Sequence, residues 1–227
     1  MTKLFARFLV ALVNLATVFL SRWRKLTVRA QVHDGLASQT TVTVNGVDLT
    51  LLVPDRTSVY WSRHGFDSEP NTLSWIDKFG AGDVFYDIGA NIGAYTLYAA
   101  KARSVPVVAF EPNPFSYRVL VHNLYLNAVT DQVLPLCLAA GGPDENGIGR
   151  QVLAFRLDDL AAIEGIPAPT HVKIDVDGIE AAILEGAKSL LSGPGVKSVL
   201  IEMLTHDDAA QARITSLLGE CGLRPVD

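Results

Sequence analysis

From Asp83 onward the chain alternates short apolar runs with amphipathic stretches, a pattern that few folds accept. Val84–Ile88, Val107–Phe110, Val133–Leu138, Val172–Ile174 and Val199–Ile201 read as strands. Ala94–Lys101, Phe115–Asn127, Ile179–Leu191 and Ala209–Cys221 read as the helices that separate or follow them. Strands that are apolar along their whole length are buried on both faces, and the helices supply the cover. The expected architecture is α/β: a Rossmann-like parallel sheet with helices on both faces. Ligands of such sheets gather at the carboxyl ends of the strands, near the point where strand order reverses. The informative residues should therefore follow each strand.

Upstream the pattern differs. Thr40–Val44 and Val47–Val53 are β-rich runs joined by Asn45-Gly46, the strongest short-range hairpin signal. Pro54 to Pro70 reads as a loop, and Thr72–Phe79 as a short helix ended by Gly80-Ala81-Gly82. The chain thus divides into a basic apolar head (1–29), a hairpin with a lead-in helix (30–82) and the α/β domain (83–227). At 227 residues and 49% hydrophobic, it has material for one sizeable core and no resemblance to a disordered chain. Two cysteines exclude a disulfide framework and a cysteine-based zinc site, and suit a reduced, cytoplasmic setting.

Charge separates the head from the rest. Residues 1–29 hold six basic side chains and no acid, while the other 198 residues carry 13 basic and 24 acidic ones. An acidic body argues against nucleic acid as the main partner. In the head, Leu4 to Leu20 is apolar except for a stripe: Lys3, Arg7, Asn14, Thr17 and Ser21 fall within about 40° of one line on a helix. Such a helix, followed by Arg22, Arg24 and Lys25, suits the surface of an anionic membrane, through residues 1–25 and at its inner face. A helix packed on the body or on a second copy, a single span of marginal length, and a signal peptide with a poor cleavage site compete with that reading.

Asp87-Ile88-Gly89-Ala90-Asn91-Ile92-Gly93 leads from the first strand of the α/β region into a helix. Gly89 and Gly93 allow a tight turn and close ligand approach, and the helix that follows offers free N–H groups. A dinucleotide fingerprint would need glycine where Asn91 stands. Asp87 would repel a pyrophosphate and suit a cationic ligand. Glu111, 22 residues after Gly89, is near the spacing at which an acid meets ribose hydroxyls. An adenosine without pyrophosphate and with a positive charge describes S-adenosylmethionine.

Four segments in order carry a family resemblance: Asp83 to Gly93, Ala109-Phe110-Glu111-Pro112-Asn113, Leu157-Asp158-Asp159-Leu160, and Lys173 to Glu180. Over about Glu69 to Glu202 the chain resembles the FkbM family of S-adenosylmethionine-dependent methyltransferases. That resemblance implies a class I methyltransferase fold and O-methylation of a small-molecule hydroxyl on a sugar or natural product. It places Asp87, Gly89, Asn91 and Gly93 at the methionine end of the cofactor, Glu111 at the ribose, and Asp175 near the transferred methyl.

Other candidates have bland alternatives. Asn113 before Pro114 is a helix cap as well as a cofactor-side residue. Glu69, in a turn-rich loop, could close over the cofactor. Asp177 and Glu180 fit a capping box, whereas Asp175 is not explained by capping. Paired carboxylates could hold a divalent ion, but spacing supplies no third ligand, and no metal is expected. His206, just past the last strand, is at the correct rim for a general base, or caps a helix with Asp207 and Asp208. His171 is at the wrong end of its strand, and Trp61, Trp75 and Tyr86 read as packing residues. The run from Leu138 to Arg150 is short for the family, and the chain carries at most one strand beyond its last helix. An open sheet edge would invite dimerisation. The alternative function is a non-catalytic, membrane-associated module on the same fold; an NAD-dependent oxidoreductase is disfavoured by Asn91.

Overall fold

The computed structural model describes residues 2–36, 38–142, 153–176, 178–203 and 207–225. They form two compact units, 1–39 and 40–227. The first unit is two helices, α1 (Thr2–Ala16) and α2 (Arg22–Leu36), in which no residue is buried. Arg29 donates to Asn14 Oδ1 at 2.9 Å, joining them. The apolar helix expected within Leu4–Leu20 is α1, which ends at Ala16, and the polar stretch after Arg22 is helical too.

The second unit opens with the expected hairpin, β1 (Ser38–Val44) and β2 (Val47–Val53), turning on Asn45 and Gly46 in left-handed conformation. The stretch read as a loop is helical instead: α3 (Arg56–Tyr60), a π-turn (Trp61–Gly65) and α4 (Phe66–Ser68) precede α5 (Pro70–Ile76). Two causes are visible. Asp55 caps α3 by accepting from the Ser58 N–H at 2.9 Å. Trp61 and Phe66 pack edge-on against Tyr95, with ring centroids 5.4 and 6.1 Å away, so turn-forming residues gain a buried anchor.

The α/β region then runs β3 (Phe85–Ile88), α6 (Ala94–Tyr98) continued by a π-turn, β4 (Val107–Phe110), α7 (Pro114–Leu126), β5 (Val133–Leu136), and a small parallel pair, β6 (Ala139–Ala140) with β7 (Ala154–Phe155). It ends with α8 (Leu157–Leu160), β8 (His171–Ile174), α9 (Glu180–Glu185), α10 (Lys188–Leu191), β9 (Ser198–Ile201) and α11 (Asp208–Glu220). The single helix expected over 179–191 is two, parted at Gly186, where a Cβ would lie 2.2 Å from the Gly141 carbonyl oxygen. Five strands form one parallel sheet in the order β5-β4-β3-β8-β9, with helices on both faces.

Period-two alternation sorts the strand side chains. Tyr86, Ile88, Val108, Phe110, Val172 and Ile174 enter one core with Ile183, Leu184, Ile214 and Leu217. Phe85, Val107 and Ala109 enter the other with Leu97, Tyr98 and the hairpin's Leu49 and Leu51. The hairpin edge is not left bare. Asn123 on α7 accepts from Leu52 N–H at 2.7 Å, and Asn127 accepts from Thr50 N–H at 2.9 Å and donates back to its carbonyl at 2.7 Å. Side-chain amides thus satisfy backbone groups that would otherwise be orphaned.

Candidate functional site

Strand order reverses at β3, which is flanked by β4 on one side and β8 on the other. Above the carboxyl ends of these strands lies a cavity of about 500 Å³, within the range of small-molecule sites. It is lined by the loops after β3, β4 and β8 and by Leu138–Ala140.

The loop after β3 is fixed by backbone bonds: the N–H groups of Gly89 and Ala90 both donate to the Phe110 carbonyl at 2.9 Å. Gly89 has φ +84, and a Cβ there would sit 1.9 Å from the Asp175 carbonyl oxygen, so only glycine fits. Gly93, at φ +86, opens α6. Asn91 takes the left-handed conformation at φ 51, which asparagine tolerates. The loop therefore turns without the second glycine of a dinucleotide fingerprint.

Asp87 is buried beneath this loop, in register with Lys173 on β8. Its Oδ2 accepts from Thr96 Oγ1 at 2.6 Å, and its Oδ1 is buried with no hydrogen bond. Burial raises its pKa, and the opposing pull of Lys173 and Thr96 does not cancel the rise. The side-chain oxygen of Asn91 is likewise buried and without a partner. Glu111, also buried, uses one oxygen to accept from the Asn91 N–H and the other from the Asn113 N–H, both at 2.7 Å. Burial raises its pKa more than those two amides lower it. It staples two cavity-lining loops together. Asn113 caps α7, accepting from Phe115 N–H at 2.9 Å, and lines the cavity as well.

On the β8 side, Lys173 is buried and pairs with Asp175, its ammonium 5.1 Å from the centre of the Tyr95 ring. Glu69, at the junction of α4 and α5, does not line the cavity. It stands beside Asp175 and Glu202, with one carboxylate oxygen of each within 4.8 Å of the others. Glu202 is pushed up to about 7, first by its hydrogen bond to Asp175, then by burial and by the neighbouring carboxylates. The Tyr95 hydroxyl is buried against these acids, with Glu69 as its hydrogen-bonding neighbour. Burial and then the charge of Glu69 drive its pKa well above the usual tyrosine range.

Lys173, Tyr95 and Glu202 were not singled out by sequence reasoning, although a signal existed. Lys173 and Asp175 are two apart in a strand and so share a face, and a lysine amid His171-Val172 and Ile174 is out of place unless paired. Trp61 lines the cavity as well as packing. His206 and Asp177 lie outside the described residues, so the general-base and capping-box expectations for them have no geometry here. Glu180 accepts from Gly178 N–H at 3.1 Å, and Asp207 caps α11.

The Methyltransferase FkbM domain matches residues 87–225, beginning at the buried carboxylate of β3. This chain belongs to the FkbM methyltransferase-domain family. Among curated relatives it is 28% identical over 159 residues to Hexuronic acid methyltransferase AglP of Haloferax volcanii, covering 62% of this chain and 63% of that one. It is 25% identical to the 31-O-demethyl-FK506 methyltransferase FkbM of Streptomyces tacrolimicus, over 72% of this chain and 77% of the relative. It is 28% identical to the tRNA (guanine(37)-N(1))-methyltransferase of Xenopus tropicalis, over 73% of this chain but 34% of that longer protein. The chain therefore spans less than two thirds of two of these three relatives. The five-stranded order, with its reversal at β3, is that of the class I methyltransferase sheet that the family resemblance implied. Among the described residues, no helix is long and apolar enough to cross a membrane.

Proposed function

We propose that this FkbM-domain chain is an S-adenosylmethionine-dependent methyltransferase acting on a hydroxyl of a small, sugar-like or natural-product-like acceptor. The observation that carries the proposal is the buried, unpartnered Oδ1 of Asp87 in a cavity at the strand-order reversal. An orphaned buried carboxylate oxygen is costly unless a ligand completes it. The amino group and sulfonium of S-adenosylmethionine are cations of the required kind. In this reading Asp87 and the Asn91 side chain receive the methionine end, between Gly89 and Gly93. Glu111 has lone pairs left for the ribose hydroxyls, and Asn113 supports that loop. Bound S-adenosylmethionine supplies an activated methyl, so the protein's task is mainly alignment of the acceptor. Asp175 stands where the acceptor would enter.

The names of two relatives, one acting on a hexuronic acid and one on demethyl-FK506, support a hydroxyl acceptor. Asp175 in the cavity wall, with Glu69 and Glu202 beside it, would repel a polyphosphate chain, which disfavours RNA. Calorimetric titration with S-adenosylmethionine and S-adenosylhomocysteine, with NAD as control, tests the reading. Binding of the adenosyl ligands alone is expected. NAD binding without them would overturn it, and turnover of a hydroxylated acceptor would eliminate the non-catalytic alternative.

A second proposal concerns residues 1–36: the head rests on an anionic membrane surface. Phe5, Phe8, Leu15, Phe19 and Trp23 are each more than half exposed, beside six basic groups and no acid before Asp34. Apolar exposure with uniform positive charge fits a lipid headgroup layer. Co-flotation with phosphatidylserine vesicles, lost in neutral vesicles or on removing residues 1–25, is the expected result.

A further inference from the structure

We propose that a second, smaller cavity is an accessory subsite of the acceptor, holding a polyhydroxylated ring that is not itself methylated. This cavity measures about 240 Å³ and is lined by Trp61, Arg63, His64 and Asp67, with Val44 and Leu73 among its apolar walls. Trp61 also lines the larger cavity at the strand-order reversal, so one indole forms part of the wall of both. The inference rests on the methyltransferase reading for what fills the larger cavity, but not for the geometry of the smaller one.

The indole is held from several sides. It meets Tyr60, Phe66 and Tyr95 edge-on, with ring centroids 6.1, 5.7 and 5.4 Å away. A Cβ on Gly65 would stand 2.2 Å from Trp61 Cε3, so a bare glycine backbone is what admits the ring. Despite these contacts Trp61 stays partly exposed. Trp75 shows the contrast within the same unit. It spends its indole N–H on Ser198 at 2.8 Å, whereas that of Trp61 has no acceptor among the described residues. Trp61 is also near the expected chemistry: Tyr95 has the Lys173 ammonium 5.1 Å from its ring centre, and Lys173 pairs with Asp175.

The polar groups select the occupant. Arg63 only donates, Asp67 only accepts, and a neutral His64 does one of each. None of the three makes a hydrogen bond or ion pair among the described residues. An anion would meet Asp67, a cation would meet Arg63, and an apolar group would leave all three unused. Hydroxyls donate and accept at once, so a ring bearing several of them matches this mixed set while its C–H face packs on the indole. The volume of about 240 Å³ has room for one such ring. The acceptor is therefore a saccharide or glycoside of at least two rings, one at the methyl and one beyond Trp61.

The test is calorimetry on the full chain, with and without S-adenosylhomocysteine. Glucose and N-acetylglucosamine are compared with the disaccharides maltose, cellobiose and chitobiose. At least one disaccharide should bind about tenfold or more tightly than its own monosaccharide. Arg63→Ala and Asp67→Asn should erase most of that advantage. Both residues are exposed, so the variants should fold, as S-adenosylhomocysteine binding would verify. Asp131→Asn, an exposed acid elsewhere, should change nothing. Disaccharide binding should also shift the tryptophan emission of the natural chain but not of Trp61→Phe, which keeps Trp23, Trp75 and an aromatic anchor. No disaccharide preference, a preference that both Arg63→Ala and Asp67→Asn retain, or an emission shift that survives Trp61→Phe overturns the subsite and leaves the methyltransferase reading intact. A disaccharide preference in a chain that binds no S-adenosylhomocysteine keeps the subsite and overturns that reading.

Discussion

The two ends of the central sheet carry the same kinds of side chain in opposite states. At the amino end, Asp83 Oδ1 accepts from Lys197 at 2.6 Å, and Oδ2 accepts from Gly80 N–H at 2.8 Å with His171 Nε2 3.2 Å away. His171 stacks flat on Phe79 with centroids 4.0 Å apart, and its Nδ1 meets Ser198 Oγ at 2.7 Å. Since Ser198 already accepts from Trp75 Nε1 at 2.8 Å, its own proton points to Nδ1, which leaves the ring proton on Nε2 facing Asp83. Both Asp83 oxygens there have partners, while the His171 Nε2 meets Asp83 at ion-pair distance without a well-aligned hydrogen bond. At the carboxyl end, Asp87 and Asn91 each keep a free oxygen inside the cavity, and three carboxylates crowd one point. A buried polar group with its partners in place stabilises the fold. One without them marks where a ligand belongs.

Gly89→Ala should give the largest effect. The added Cβ would meet the Asp175 carbonyl at 1.9 Å in a backbone conformation that alanine resists, and both loops would have to move. Adenosyl-ligand binding should vanish and stability fall by about 3 kcal/mol or more, combining left-handed strain with overpacking. Calorimetry and a denaturant melt would measure both, and near-native affinity would show that this loop does not hold the ligand.

Asp87→Asn and Asp83→Asn set the ends directly against each other. Asp87→Asn should lower S-adenosylmethionine affinity about 10- to 100-fold, because charge-assisted bonds of roughly 1.5–3 kcal/mol are lost. Its stability should shift by less than about 1 kcal/mol, since the carboxylate has no full set of partners to lose. Asp83→Asn should do the opposite: stability falls by roughly 1–3 kcal/mol and affinity is unchanged. If both variants cost stability and spare affinity, the contrast between the ends collapses.

The acid limb of stability sharpens the same contrast. Burial alone would raise the pKa of Asp83, but Lys197, the Gly80 amide and His171 outweigh it and hold the carboxyl well below its usual range. A carboxyl depressed in the fold contributes stability above its unfolded value, near 3.8, and loses it as pH falls through the folded value. The deficit of Asp83→Asn against the natural chain should therefore be full at pH 7 and shrink below about pH 4. His171 is also depressed, chiefly by burial, so the natural chain should begin to lose stability as pH drops past 6.5. Guanidinium melts at pH 7, 5 and 3 would follow both.

The sequence carried the sheet and half of the site. Apolar strands and the hairpin dipeptide are local signals, and so is a glycine loop that ends in a carboxylate. These elements stand where periodicity put them, to within a few residues. The segment from Pro54 to Pro70 was misread because its helices depend on Trp61 and Phe66 finding Tyr95, a contact that no local pattern announces. The cluster of three acids was illegible for a related reason. Glu69, Asp175 and Glu202 meet only once β8 and β9 are laid on the far side of β3, and spacing along the chain does not encode strand order. Lys173 is the intermediate case, since its register with Asp87 follows as soon as β3 and β8 are known to pair.

Glu111 should give the smallest and most discriminating effect, because it stands between the two classes. Its proposed role is to hold the ribose hydroxyls, yet each of its oxygens already accepts a backbone N–H at 2.7 Å. Alanine would release both loops and confuse lost recognition with lost shape. Glutamine keeps the size and one acceptor oxygen, turns the other position into a donor facing an N–H, and removes the charge. If Glu111 serves only as a staple, Glu111→Gln should lower stability by about 1 kcal/mol and affect adenosine and S-adenosylmethionine binding little. If it also holds the ribose, affinity for both should fall about tenfold, whereas 2′,3′-dideoxyadenosine, which lacks the hydroxyls, should bind natural chain and variant alike. Calorimetry with the three ligands separates the two, and equal losses for all of them would assign Glu111 to the amino end's class: a group whose partners are all its own.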